Sequence, residues 1–84
     1  MKRRYRVGLT ARLKDRVFAG ERPPAEIGID VLIVAEDRER AVDRAWDIAL
    51  LVIDSTYEID WEDCLVLGPA PDPGEAPRLQ IEEV

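Results

Sequence analysis

Apolar and polar positions alternate along the first segment of the chain. From Tyr5 to Leu13 every odd position is apolar or small, whereas the even positions are mostly basic residues, glycine or threonine. This period of two is typical of a β-strand with one buried face. The pattern predicts a first strand over Tyr5–Leu13, with a row of basic side chains on the face opposite Leu9. That row is Arg4, Arg6, Arg12 and Lys14.

The next two segments differ sharply in character. Residues Asp15 to Ile27 contain Gly20 and the pair Pro23-Pro24, and proline lacks the amide proton that strand pairing needs. We therefore expect a long connection there. Ile27 to Ala35 includes a mostly β-branched run, Val31 to Val34, that is apolar at both odd and even positions, which predicts a second strand covered on both faces.

A helix is predicted from about Arg38 to Asp54. Asp37 precedes it as a capping residue, and Glu39 in the first turn is favoured by the helix dipole. At 100° per residue, most apolar side chains of this segment fall in one continuous arc. Leu51 falls outside that arc, between Arg40 and Arg44, and is a candidate contact for a partner.

Alternation returns from Tyr57 to Leu67 and predicts a third strand, with a break near Glu62-Asp63 as one option. Apolar Tyr57, Ile59 and Trp61 share one side of it, and Glu58, Asp60 and Glu62 share the other. Gly68 to Pro77 holds four prolines and two glycines, which predicts an extended spacer. Leu79 and Ile81 then alternate with polar residues, as in a short terminal strand.

These elements predict an α+β fold, a small ββαβ(β) two-layer sandwich. One amphipathic helix covers one face of a mostly antiparallel sheet of three to four strands. Residues 1–68 form the single domain, and residues 69–84 form a spacer with a short C-terminal strand or tail. The first strand lies either at the edge or between the second and third, and the charge pattern favours the second arrangement.

Charge is distributed very unevenly along the 84 residues. The first 24 carry eight bases and two acids, a net charge of +6, whereas the other 60 carry four bases and sixteen acids, a net charge of −12. No run approaches the roughly 18 apolar residues of a membrane span, and basic residues interrupt any signal-peptide pattern near the start. The one cysteine, Cys64, excludes a disulfide within the chain. We expect a cytoplasmic protein.

The charged rows allow several interpretations. If helix and apolar faces pack together, the basic first strand and acidic third strand emerge on the same open face, where neighbouring strands place acids opposite bases. This internal ladder is the leading interpretation. Alternatively, the acidic row imitates a nucleic-acid backbone, since alternate strand residues repeat every ~6.6 Å, or the arginines bind nucleic acid directly. A calcium or magnesium site on the row is disfavoured, because extended neighbours are too far apart to share one ion.

No residue pattern indicates catalysis. The chain has no histidine, the commonest general base. Asp60 and Asp63 have no predicted cleft, and Cys64 has acidic neighbours that raise the pKa of a thiol. We predict no enzymatic activity, no cofactor and no metal. Trp46 and Trp61 are expected to pack between helix and sheet.

The sequence is best interpreted as a small, non-enzymatic protein-interaction module. We predict that it is a homodimer and that it binds a protein partner through an acidic strand and an open sheet face. The strand-then-helix pattern from Ile29 to Leu51 occurs in many unrelated small domains, including antitoxin-like and accessory bacterial or phage proteins, and indicates no single family. The candidate acidic contacts are Asp54, Glu58, Asp60, Glu62 and Asp63. The candidate apolar contacts are Leu32, Val34, Leu51, Leu79 and Ile81.

Overall fold

A computed structural model describes residues 2–14, 25–53 and 55–83. In chain order the elements are β1 (Arg3–Leu13), β2 (Glu26–Ala35), α1 (Arg38–Val52), β3 (Tyr57–Pro69) and β4 (Arg78–Glu83). The predicted α+β class is confirmed. Most of the predicted connection, residues 15–24, lies outside the described residues, as does Asp54.

All four strands belong to one antiparallel sheet with the order β3-β1-β2-β4. The basic strand β1 therefore lies between β2 and the acidic β3, as the charge pattern favours. The terminal strand β4 pairs with β2, with Ile81 opposite Ile29, so the C-terminal segment extends the same sheet. No helix of the described segments combines the length and apolarity needed to cross a membrane.

The core lies between α1 and one face of β1 and β2. Paired residues of an antiparallel sheet project to the same face. The register sets Val7 opposite Val31 and Leu9 opposite Ile29, and these four side chains are fully buried. Their counterparts on the helix are small residues spaced four apart, Ala41, Ala45 and Ala49, which let α1 lie close to the sheet.

The helix begins and ends with identifiable backbone contacts. The Arg40 amide donates to Asp37 Oδ1 over 2.8 Å, which confirms the predicted N-cap. The Ile53 amide donates to the Ala49 carbonyl over 3.0 Å at the other end. On the two sides of the helix, Arg44 Nη1 donates to the Val34 carbonyl and Trp46 Nε1 donates to Glu62 Oε2, at 3.3 and 3.2 Å. One side of α1 therefore faces β2 and the other faces β3.

The third strand is irregular at two points, and the first changes the face on which its side chains lie. Ile59 pairs with Ala11 and Trp61 pairs with Thr10, so Asp60 is an extra residue, a β-bulge. A one-residue shift reverses sidedness. The predicted alternation is therefore wrong beyond Asp60: Trp61 lies on the face opposite the helix, and Glu62 lies on the helix face. A second bulge leaves Leu67 as the extra residue before Gly68.

The predicted spacer starts later than expected, because β3 continues through Gly68 and Pro69. The Ala70 amide then donates to the Lys2 carbonyl over 3.2 Å. A turn follows at Asp72, whose side chain and carbonyl accept from the amides of Gly74 and Glu75. Glu75 also pairs with Arg4, which ties this connection to β1.

Candidate partner-binding face

The face of the sheet opposite the helix, here called the open face, carries a groove. The even positions of β1 and β2 line it, and two of these positions are glycines, Gly8 and Gly28, which form its floor. The groove has a volume of about 340 Å³. Trp61 and Leu65 of β3 form one wall of the groove. Asp30 of β2 and Glu82 of β4 form the opposite wall. Neither glycine contributes a side chain, so the floor is shallow, and the carboxylates of neighbouring residues can extend over it.

Gly8 leaves room for the Asp63 carboxylate. A Cβ atom at Gly8 would lie 2.7 Å from Asp63 Oδ1, closer than real Cβ contacts, and 3.6 Å from Asp30 Oδ1. Because glycine has no side chain, the Asp63 carboxylate can extend across β1 towards Asp30. The two carboxylates therefore approach the same point of the groove floor from opposite sides.

The groove has an excess of negative charge. Arg6 donates to both carboxylate oxygens of Asp30, over 3.4 and 3.1 Å. This hydrogen bond and the charge of Asp30, with smaller contributions from Asp63 and Glu82, raise the pKa of Arg6. Among the described residues, no base lies within ion-pair distance of Asp63 or Glu82. One guanidinium thus faces three carboxylates, and the net charge of −2 favours a cationic group.

Exposed apolar side chains lie beside these charges. Trp61 and Leu65 are each 57% exposed, and Leu67 is 46% exposed. A second depression continues from Leu67 over half-buried Leu32 to β4. The expectation that Trp61 packs between helix and sheet is therefore wrong. Trp46, in contrast, packs partly against the core. An exposed tryptophan at a charged groove is a typical anchor for a protein partner.

The predicted acidic row is divided between the two faces. Glu58 is opposite Arg12, and Asp60 Oδ2 lies 3.2 Å from Arg12 Nε. Glu62 lies on the helix face, where it accepts the Trp46 indole proton. Asp63, on the open face, enters the groove. The bulge at Asp60 causes this division, and the regular spacing of the predicted row is absent.

The predicted apolar contacts do not form one surface. Leu32 and Val34 lie on the open face, but Val34 is only 6% exposed. Leu51 is 86% exposed on the helix, away from the groove. The remaining pair, Leu79 and Ile81, lies on the helix-side face of β4, beyond the part that α1 covers. Of these residues, Leu32 and Leu79 border the depression that continues from the groove.

Each arginine on the open face of β1 has an acidic partner within the chain. Arg4 pairs with Glu75, Arg6 with Asp30 and Arg12 with Asp60, at 3.1–3.2 Å. The expected internal ladder is thus present in part, since only Arg12 pairs with β3. Lys14 is exposed, and its backbone amide donates to the Thr56 carbonyl.

Cys64 lies on the helix face, opposite Val7, and is partly buried. Burial is the main cause that raises the pKa of its thiol. The acids Asp63 and Glu62 add to this, and Arg38 opposes it. Within residues 2–14, 25–53 and 55–83, no three potential ligands are grouped as a metal site would require.

The sequence-based reasoning did not assign six of the groove residues to a site: the two glycines Gly8 and Gly28, the acids Asp30 and Glu82, and the wall residues Trp61 and Leu65. A signal for the first two was available, because both glycines occupy even positions of predicted strands and must leave the same face bare. Asp30 and Glu82 carry no such local signal, since their proximity depends on the register of β4 against β2.

No family model, curated protein or solved structure matches this chain.

Proposed function

We propose that the protein is a non-catalytic protein-interaction module that binds a protein partner in the groove of its open face. The observation that carries this proposal is the exposed Trp61 beside a glycine-floored groove with a net charge of −2. The partner segment that fits has a lysine or arginine next to apolar side chains. The cation would lie between Asp63 and Glu82, and the apolar part would pack on Trp61.

Binding to a protein explains the face better than binding to nucleic acid. A nucleic-acid binder needs basic groups free to neutralise phosphates, whereas the three arginines on the open face of β1 are already paired. A nucleic-acid mimic needs a regular row of carboxylates, and the bulge at Asp60 interrupts that row. A protein partner needs neither feature. A cytoplasmic location and a homodimeric state remain predictions.

Capture of partners from a host extract tests the proposal. The immobilised wild type is compared with Trp61→Lys and Asp63→Lys on the open face, and with Leu51→Lys as a control on the helix. We expect the same proteins to bind the wild type and Leu51→Lys, and to be lost from both open-face variants. Added salt should also weaken binding, because the charges are exposed.

The control also separates the two apolar surfaces that the sequence proposes. Each variant is first checked by circular dichroism, so that lost binding is not confused with unfolding. Retention of all partners by Trp61→Lys would contradict the open-face site. Loss with Leu51→Lys alone would place the contact on the helix.

A further inference from the structure

The outer edge of β3 has no strand paired to it within the described part of the chain. Backbone groups of successive strand residues point to opposite neighbours. The Leu13 amide donates to the carbonyl of Ala25, directly before β2, and the Lys14 amide donates to the carbonyl of Thr56, directly before β3. Even residues of β1 therefore bond β3. It follows that the β3 residues opposite odd positions, Glu62, Cys64 and Val66, point their amides and carbonyls outwards.

This edge is charged in one half and apolar in the other. Its carboxylates are at positions 58, 60, 62 and 63. From Cys64 to Leu67 there is no charge, and three consecutive apolar residues are about half exposed: Leu65, Val66 and Leu67. Natural edge strands are usually protected against pairing by charges or proline. The acidic half of β3 is protected in this way, whereas residues 64–66, which precede the bulge at Leu67, are open to a partner strand.

We infer that a second copy of this chain pairs with this edge in antiparallel orientation, with Leu65 on the two-fold axis. The two sheets would then form one continuous eight-stranded sheet. This inference rests on the proposed interaction function and specifies how its homodimer forms. It uses the edge of β3, whereas the proposed partner occupies the open face.

The distribution of charge selects this register. With Leu65 opposite itself, Cys64 pairs with Val66 of the second copy, and both residues direct their backbone groups outwards. Asp63 then lies beside Leu67, the extra residue of the second bulge, and no acid faces another acid. Moving the axis to Asp63 would place two carboxylates opposite each other, which is destabilising. Moving the axis to Cys64 would set Asp63 opposite Leu65 and Glu62 opposite Val66. Each apolar residue would then face an acid, and the pairing of Leu65 with Leu65 and of Cys64 with Val66 would be lost.

Analytical ultracentrifugation of the full chain tests the interface. Val66→Lys places a charge on the edge, and Val52→Lys is a matched control, because the two valines are 50% and 46% exposed. We expect wild type and Val52→Lys to form dimers and Val66→Lys to remain monomeric. A monomeric wild type, or a Val66→Lys variant that dimerises like the wild type, would overturn the inference.

Cysteine cross-linking tests the register. In the variant Cys64→Ser/Leu65→Cys, the new thiols meet at the axis, where strand geometry sets the Cα atoms about 4.5 Å apart, within the range of a disulfide. We expect mild oxidation to give a covalent dimer of this variant, and much less of the wild type. A dimer that fails to cross-link through position 65 would overturn the proposed register.

The two proposals can fail separately. If Trp61→Lys loses partner proteins while the wild type is monomeric, the edge inference alone is wrong. If the wild type dimerises through the edge and Trp61→Lys still captures every partner, the open-face function alone is wrong.

Discussion

Deletion of Asp60 tests the bulge that places Trp61 on the open face. In the structure, Ile59 pairs with Ala11 and Trp61 pairs with Thr10, and Asp60 is unpaired between them. Without Asp60, the same pairs would form a regular ladder. The deletion should therefore leave all the remaining side chains of β3 on their present faces.

The expected cost follows from what Asp60 contacts. Its ion pair with Arg12 spans 3.2 Å, and the two side chains are 31% and 65% exposed. Such exposed pairs contribute about 0–1 kcal/mol, and the deletion removes no buried apolar group. We expect the deletion to lower the free energy of unfolding by about 1 kcal/mol or less. The control variant Asp60→Ala keeps the bulge and loses the same ion pair, so its free energy of unfolding should fall by a similar amount.

A regular strand would respond very differently. If β3 alternated without interruption, deletion of Asp60 would turn Tyr57 and Ile59 away from the core, against which both now pack. Full burial of one large apolar side chain is worth about 1.5–3 kcal/mol, so loss of both partial contacts would cost several kcal/mol. Urea denaturation followed by circular dichroism measures the difference. A deletion that costs several kcal/mol, beside a mild Asp60→Ala, would refute the bulge.

Three further changes test other parts of the structure. Asp37→Ala removes the helix cap and should lower the free energy of unfolding by about 0.5–2 kcal/mol, and an unchanged urea midpoint would contradict the cap. Gly8→Ala should displace the Asp63 carboxylate from the groove and weaken partner capture, with a small effect on stability because the end of that side chain can move. Capture equal to that of the wild type would show that the position of Asp63 is unimportant. The raised pKa of Cys64 means that the folded state disfavours the thiolate, so alkylation at pH 9.0 should be slower than for an unperturbed cysteine, and stability should fall as the pH rises above 9.0. Alkylation as fast as in an unfolded control would contradict the burial of the thiol.

Much of the fold was predictable because its signals are local. Alternation marks β1, the apolar run marks β2, and Asp37 marks the start of α1. Each pattern reflects the face that an element buries, and the sequence alone contains that information. The charge pattern also favoured the position of β1 between β2 and β3, since this order places the basic residues of β1 beside the acidic residues of β3.

The faces of β3 were only partly predictable, because a bulge depends on the strand beside it. Asp60 resembles its acidic neighbours, and nothing in its identity marks it as the extra residue. The available sign was a change of pattern further along, where Asp63 interrupts the apolar side while Cys64 and Val66 fall on the polar side. Prediction of the groove would have required the pairing registers of neighbouring strands, and local sequence patterns do not contain that information.

Direct contact between the open face and a partner is the central claim, and photo-cross-linking from that face measures it. The photoreactive amino acid p-benzoylphenylalanine replaces Trp61 in one variant and Leu51 in another, and each is irradiated in host extract. The account predicts a discrete cross-linked protein from position 61 and none from position 51, with the product suppressed by Asp63→Lys. Cross-linking from position 51 alone, or equally from both positions, would contradict it.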